Sequence, residues 1–181
     1  MSDTNEQLAS DASFESVIAA TQDLLNRMDE ASSEGDQLQR DMIHLLKLDK
    51  GPRGFFASLL TDARSVADNP PAYVLNALRQ LPECTAELLT KNLAMSSAMV
   101  IHHHRQQDDA AAESSRQVQR RCINLITQLQ LQSIQQELTA LALSIKDGGA
   151  YSAFLKRWNY DEEQRAEIGV LVQECLDAVT S

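Results

Sequence analysis

The chain has 181 residues, 43% of them hydrophobic, enough to fill the core of one domain of ordinary size without disulfide staples. Six Gly, four Pro and only 4% aromatic residues argue against sandwiches and barrels, which need glycine-rich turns and aromatic or β-branched strands. Sixteen Lys and Arg against 26 Asp and Glu give a net charge of −10, which disfavours any function in which the whole molecule condenses on nucleic acid or an anionic membrane.

Residues 1–12 carry three acids and no base, the reverse of a secretory or transit leader, and they lack apolar periodicity. They read as a frayed acidic tail, followed by a single helical domain over 13–181. Phe14, Val17, Ile18, Thr21, Leu24, Leu25 and Met28 then fall on one stripe of a four-turn amphipathic helix. Residues 31–36, with two serines and Gly35, read as a turn before a second apolar face at Leu38, Met42, Leu45 and Leu46. Lys50-Gly51-Pro52-Arg53-Gly54 stops that helix, and Pro52 suits the start of a third, which carries Phe55, Phe56, Leu59, Leu60 and Ala63. Asn69 reads as an N-cap with Pro70 at the first helical position, opening a short helix through Val74, Leu75 and Leu78.

Pro82 is another start signal. Residues 83–147 contain neither Gly nor Pro, a run too long for one helix in a compact domain, so it folds back. The apolar pattern collapses from His102 to Gln117, which places a bend near 106–115, with a second weak point near 131–133. Ile134, Leu138, Leu141, Ala142 and Ile145 supply the next stripe, closed by Gly148-Gly149. Tyr151, Phe154, Leu155 and Trp158 mark a short aromatic helix. Asp161 and Gln164 form a capping box ahead of the last stripe, Ile168, Leu171, Val172, Cys175, Leu176 and Val179. The expectation is an all-α bundle of about eight helices with no sheet.

The acidity is terminal. Residues 1–36 hold nine acids and one base, residues 161–181 six acids and one base, and residues 37–160 eleven acids and fourteen bases. Three consecutive histidines, His102, His103 and His104, are the candidates for cofactor binding. Helical neighbours point about 100° apart, so the three cannot converge on one ion, and the i, i+4 pair of zinc helices is missing. One of these rings could still ligate a tetrapyrrole together with distant groups, or titrate near neutral pH. Cys84, Cys122 and Cys175 sit on apolar stripes, outside any CxxC, so they read as small core residues of a reducing compartment. Arg116 and Arg120 share a helix face, with Arg121 beside them. Asp108, Asp109 and Glu113 upstream predict ion pairs within the chain or between subunits, not a nucleic-acid site.

Residues 88–101 mix small Ala94, Ser96, Ser97 and Ala98 with Leu93, Met95, Met99 and Val100. Small residues let helices approach and methionine adapts to irregular surfaces, so Leu93, Met95, Ser96, Met99 and Val100, with Arg116 and Arg120, are the expected partner or dimer interface. Leu88-Leu89, then Asn92-Leu93-Ala94-Met95-Ser96-Ser97-Ala98-Met99 and a polar run with Arg105, resembles the signature helix of an uncharacterised helical family of cyanobacteria and chloroplasts, the domain of unknown function numbered seven-sixty. The likeness covers residues 55–107 and departs at Val100-Ile101-His102, where that family has glycine and aromatics. It implies a photosynthetic lineage and no catalytic residues.

The longest apolar stretch, 93–101, falls far short of the roughly 20 residues that cross a bilayer. The phosphate-loop, nucleophile-elbow, dinucleotide and EF-hand patterns are missing. The sequence therefore predicts a cytoplasmic, non-enzymatic helical protein without a cofactor, acting through protein contacts or as a homodimer, as an assembly or regulatory factor in a photosynthetic bacterium. The alternative is a helical bundle that holds an apolar or tetrapyrrole ligand, with the histidines at its mouth.

Overall fold

A computed structural model describes residues 12–30 and 35–180. Nine helices and no strand occur among the described residues, as the all-α expectation requires: α1 (Phe14–Glu30), α2 (Gly35–Leu46), α3 (Gly51–Thr61), α4 (Ala72–Arg79), α5 (Pro82–Arg105), α6 (Asp109–Leu129), α7 (Gln132–Lys146), α8 (Ser152–Arg157) and α9 (Glu162–Thr180). Their packing divides the chain into two compact units, Met1–Thr85 and Ala86–Ser181. The acidic tail through residue 11 lies outside the described residues.

In the first unit Ser13 starts α1: its hydroxyl accepts the Ser16 N–H at 3.2 Å and its carbonyl accepts the Val17 N–H at 3.1 Å. The predicted stripe is buried at Val17, Thr21, Leu24, Leu25 and Met28. α1 packs on α3 and α2, and α2 packs on α4. The α1–α3 approach is close because Gly54 has no side chain; a Cβ there would lie 2.4 Å from Val17 Cγ1. Arg27 joins α1 to α2 through the buried Asp41 at 2.8 Å. After α3, Asp62 binds Arg64 twice, Nε to Oδ1 at 2.6 Å and Nη2 to Oδ2 at 2.7 Å, and Arg64 reaches back to Gln22 and Asn26 on α1.

Three boundaries differ from the sequence reading. Of the turn expected over 31–36, residues 31–34 lie outside the described residues, and Gly35 and Asp36 belong to α2. α2 ends at Leu46, before the Lys50-to-Gly54 stop, and Gly51 and Gly54 are helical, although Pro52 stands in the first turn of α3 as predicted. α4 begins at Ala72 with Pro71 as its cap, at φ −60° and ψ 155°, not at Pro70. A proline following Pro70 disfavours the helical region there, so the helix starts only beyond the pair.

In the second unit the glycine-free run does fold back, twice, but more sharply than expected. The first break occupies only 106–108, where Gln107 takes φ 57° and Asp108 accepts the Ala111 N–H at 2.9 Å to start α6. Residues 109–115, expected in the bend, are helical. The second break is Gln130, at φ 50°, and Gln132 and Ser133 already open α7. α7 ends as predicted at a left-handed glycine, Gly148 at φ 81°. α8 is shorter than the aromatic stripe, with Tyr151 and Trp158 as its caps. α7 and α6 each pack on α9. Leu125, Ile126, Ile134, Leu138, Leu141, Ile168 and Val172 are buried.

Candidate functional site

The polar groups singled out by the sequence gather at one end of the second unit, where α5 stops, α6 starts and α9 starts. His102, His103, His104 and Arg105 form the last turn of α5, where cations suit the negative end of the helix dipole. The rings diverge. His102 and His103 meet edge to face at 5.4 Å, while His104 turns to α6, its Nε2 against the Arg116 guanidinium and its Nδ1 3.9 Å from Asp109. Among the described residues, no group of three or more His, Cys, Asp or Glu side chains could hold a metal ion.

Arg105 carries the same junction to α9, donating to both Asp161 and Glu163. These two carboxylates raise its guanidinium still further above its ordinary value. Arg105, with the Gln164 N–H, in turn holds the Asp161 carboxyl down to about 2. The predicted capping box is formed in full: Gln164 N–H donates to Asp161 Oδ1 at 3.0 Å and Asp161 N–H to Gln164 Oε1 at 3.1 Å. The Gln164 amide also donates to the Ala98 carbonyl of α5 at 3.0 Å.

Of the acids expected to pair with the arginines of α6, Glu113 does so, while Asp108 caps the helix and Asp109 lies near His104. Glu113 accepts from Arg120 at 2.8 Å and from Arg116 at 3.4 Å, and the hydrogen bond from Arg120 is the main reason its carboxyl is lowered. All these groups are largely solvated, so each pair contributes little to stability and is screened by salt.

The expected interface residues of α5 separate into two sets. Leu93 and Ser96 are buried within one chain, and the Ser96 and Ser97 hydroxyls donate to carbonyls of their own helix, at 2.8 Å and 2.6 Å. Met95, Met99 and Val100 are half-buried. Among larger apolar side chains of the second unit, Leu143, Val170 and Trp158 are 56%, 55% and 48% exposed.

The pattern of a family described as "Uncharacterised conserved protein UCP020893" matches residues 13–175, from the start of α1 nearly to the end of α9. The chain belongs to that family. Comparison with curated proteins found no match, and neither did comparison with solved structures.

The matched residues include two buried polar groups, Arg121 and Tyr151, which the sequence reading placed in an arginine cluster and an aromatic stripe without expecting their burial as polar groups. Arg121 is 1% exposed, although Arg120 beside it faces water. Tyr151 is buried with its hydroxyl 2.5 Å from Glu137 on α7, and its backbone N–H donates to Ser144 Oγ at 3.0 Å. Burial first, then Glu137 and Glu87, raise the Tyr151 phenol well above the ordinary range. Tyr151 was legible as part of an apolar stripe, but no spacing rule points to Glu137. For Arg121 the only signal was its position about 100° around the helix from Arg120. No described helix is long and apolar enough to cross a membrane.

Proposed function

We propose that this protein is not an enzyme and works in the cytoplasm through protein–protein contact, either with a second copy of itself or with a partner, as an assembly or regulatory factor in a photosynthetic bacterium. The observation that carries the reading is the α5 face. Met95 and Met99, one turn apart, stay half-buried with Val100 beside buried Leu93, leaving polarizable, adaptable side chains at the surface of the longest helix. Arg116 and Arg120 supply a polar flank whose charges are already paired to Glu113. The half-exposed Leu143, Val170 and Trp158 add apolar area of the kind protein contacts cover. The photosynthetic setting rests only on the resemblance of the Leu88-to-Met99 segment.

Light scattering on the full chain after size exclusion tests this directly. Association is expected for the natural chain, and the pair Met95→Glu with Met99→Glu should abolish it while the helical circular dichroism persists. A strict monomer that also recovers no specific partner from its host's lysate would defeat the proposal. A visible absorbance band in protein purified from that host would instead favour the tetrapyrrole-binding alternative, with His102, His103 or His104 as the ligand.

A further inference from the structure

Lys156, Arg157 and Trp158 are three consecutive exposed residues where α8 ends, and Trp158 keeps 48% of its surface in water. The chain turns there at once, since Asn159 takes φ 49° and α9 begins at Glu162. On α9, Glu167, Val170 and Glu174 follow at i, i+3 and i+7, which places them within about 60° of one another at about 100° per residue. That stripe lies away from Ile168, Val172 and Cys175, which α9 buries, and its Val170 is 55% exposed. The two carboxylates stand about 10 Å apart along the helix, one on either side of the valine. Among the described residues, none of Lys156, Arg157, Glu167 and Glu174 makes an ion pair. An exposed apolar group beside two unpaired cations thus has a counterpart in an exposed apolar group between two unpaired anions.

We propose that these two surfaces are the two halves of one contact between copies of this chain: Trp158 of one copy covers Val170 of the other, while Lys156 and Arg157 reach Glu167 and Glu174. The inference rests on the reading of this protein as one that works through self-contact, and it adds a second contact to the α5 face. Within one chain the halves stay apart, because α9 carries Val170 about 12 Å beyond Glu162, away from the turn that holds Trp158. A two-fold axis lets each copy offer its turn to the other's stripe, so a single geometry uses both surfaces twice. The net charge of −10 repels copies at long range, so contact requires locally opposite charges where they touch. Tryptophan and arginine are the side chains that dominate binding energy in protein contacts, whereas ion pairs left in water contribute little. Covering the indole therefore supplies the affinity, and the charges choose the register.

Trp158 is the single tryptophan of the chain, so its fluorescence reports on this surface. In a concentration series of the full chain followed by light scattering, its emission is expected to shift to shorter wavelength as copies associate. Lys156→Glu with Arg157→Glu should weaken association about tenfold, and so should Glu167→Lys with Glu174→Lys. An equimolar mixture of the two double variants should recover both association and shift, because each reversed turn then meets a reversed stripe. Carbodiimide coupling of mixed isotopically light and heavy chains should link Lys156 to Glu167 or Glu174 between copies. Association that leaves the Trp158 emission unchanged, or that both charge reversals leave intact, overturns this inference while the α5 reading stands. A strict monomer overturns it as well, and the α5 reading is then decided by capture of a partner. A shift produced only by phosphatidylglycerol vesicles assigns the turn to a lipid surface and is equally fatal.

Discussion

Gly54 of α3 lies against Val17 of α1 so closely that a single added carbon at 54 would sit 2.4 Å from Val17 Cγ1. Val17 is fully buried and β-branched, so it has little freedom to move aside. Gly54→Ala should therefore destabilise the chain by about 1–3 kcal/mol, the usual cost of overpacking, despite the better helix propensity of alanine. Thermal unfolding of Gly54→Ala, of Val17→Ala and of the double variant checks it. The double variant should lose less than the sum of the two, because the second change removes the atom that the first one meets.

Asp108 supports the start of α6 by accepting the Ala111 N–H at 2.9 Å. Asp108→Ala should cost about 1 kcal/mol, and Asp108→Asn much less, because an amide oxygen caps almost as well. Chemical denaturation of the two variants separates loss of the cap from loss of charge. Equal destabilisation would show that the charge, not the hydrogen bond, matters there.

Asp62 is held down to about 2, chiefly by the hydrogen bonds from Arg64. Its folded value lies below the unfolded value of about 3.9. Its contribution is therefore complete above the unfolded value and fades as pH falls through about 2. Asp62→Asn should be less stable than the natural chain at neutral pH, and the gap should shrink steadily below pH ~4. Urea unfolding of both proteins across that range measures it. A gap that does not change with pH would mean the carboxylate contributes only through shape.

The Tyr151 hydroxyl donates to Glu137 in a buried setting, while Tyr160 is pushed up to about 12 by burial. Tyr151 should stay neutral through pH ~10, where an exposed tyrosine is half ionised, and should ionise only as the chain opens. Its raised value contributes stability that is present below that pH and is lost as pH rises further. Ultraviolet difference titration of the natural chain and Tyr151→Phe should differ only at the most alkaline end. At neutral pH Tyr151→Phe should cost about 1–2 kcal/mol, because the Glu137 carboxyl loses its donor.

How much was legible depended on the range of the interaction responsible. The α1 stripe, the Pro52 start, the Gly148 stop and the Asp161–Gln164 box were readable because each is made by residues within one or two turns of each other. The two breaks in the 83–147 run were placed too broadly because Gln107 and Gln130 adopt the left-handed conformation that composition ordinarily assigns to glycine. The α4 start was missed by two residues because the effect of Pro71 on Pro70 was left out. At the candidate site, the pairing of Glu113 with Arg116 and Arg120 followed from helical spacing. The grip of Arg105 on Asp161 and Glu163 did not, since more than fifty residues separate them.

Local chemistry was thus sufficient to make this chain helical and to start and stop most of its helices, because backbone geometry and side-chain reach act over a few residues. Which arginine turns inward and which phenol meets a carboxylate were decided only when the helices packed. Those choices depend on the order and direction in which helices return to a common corner, and no periodicity along a single helix carries that information.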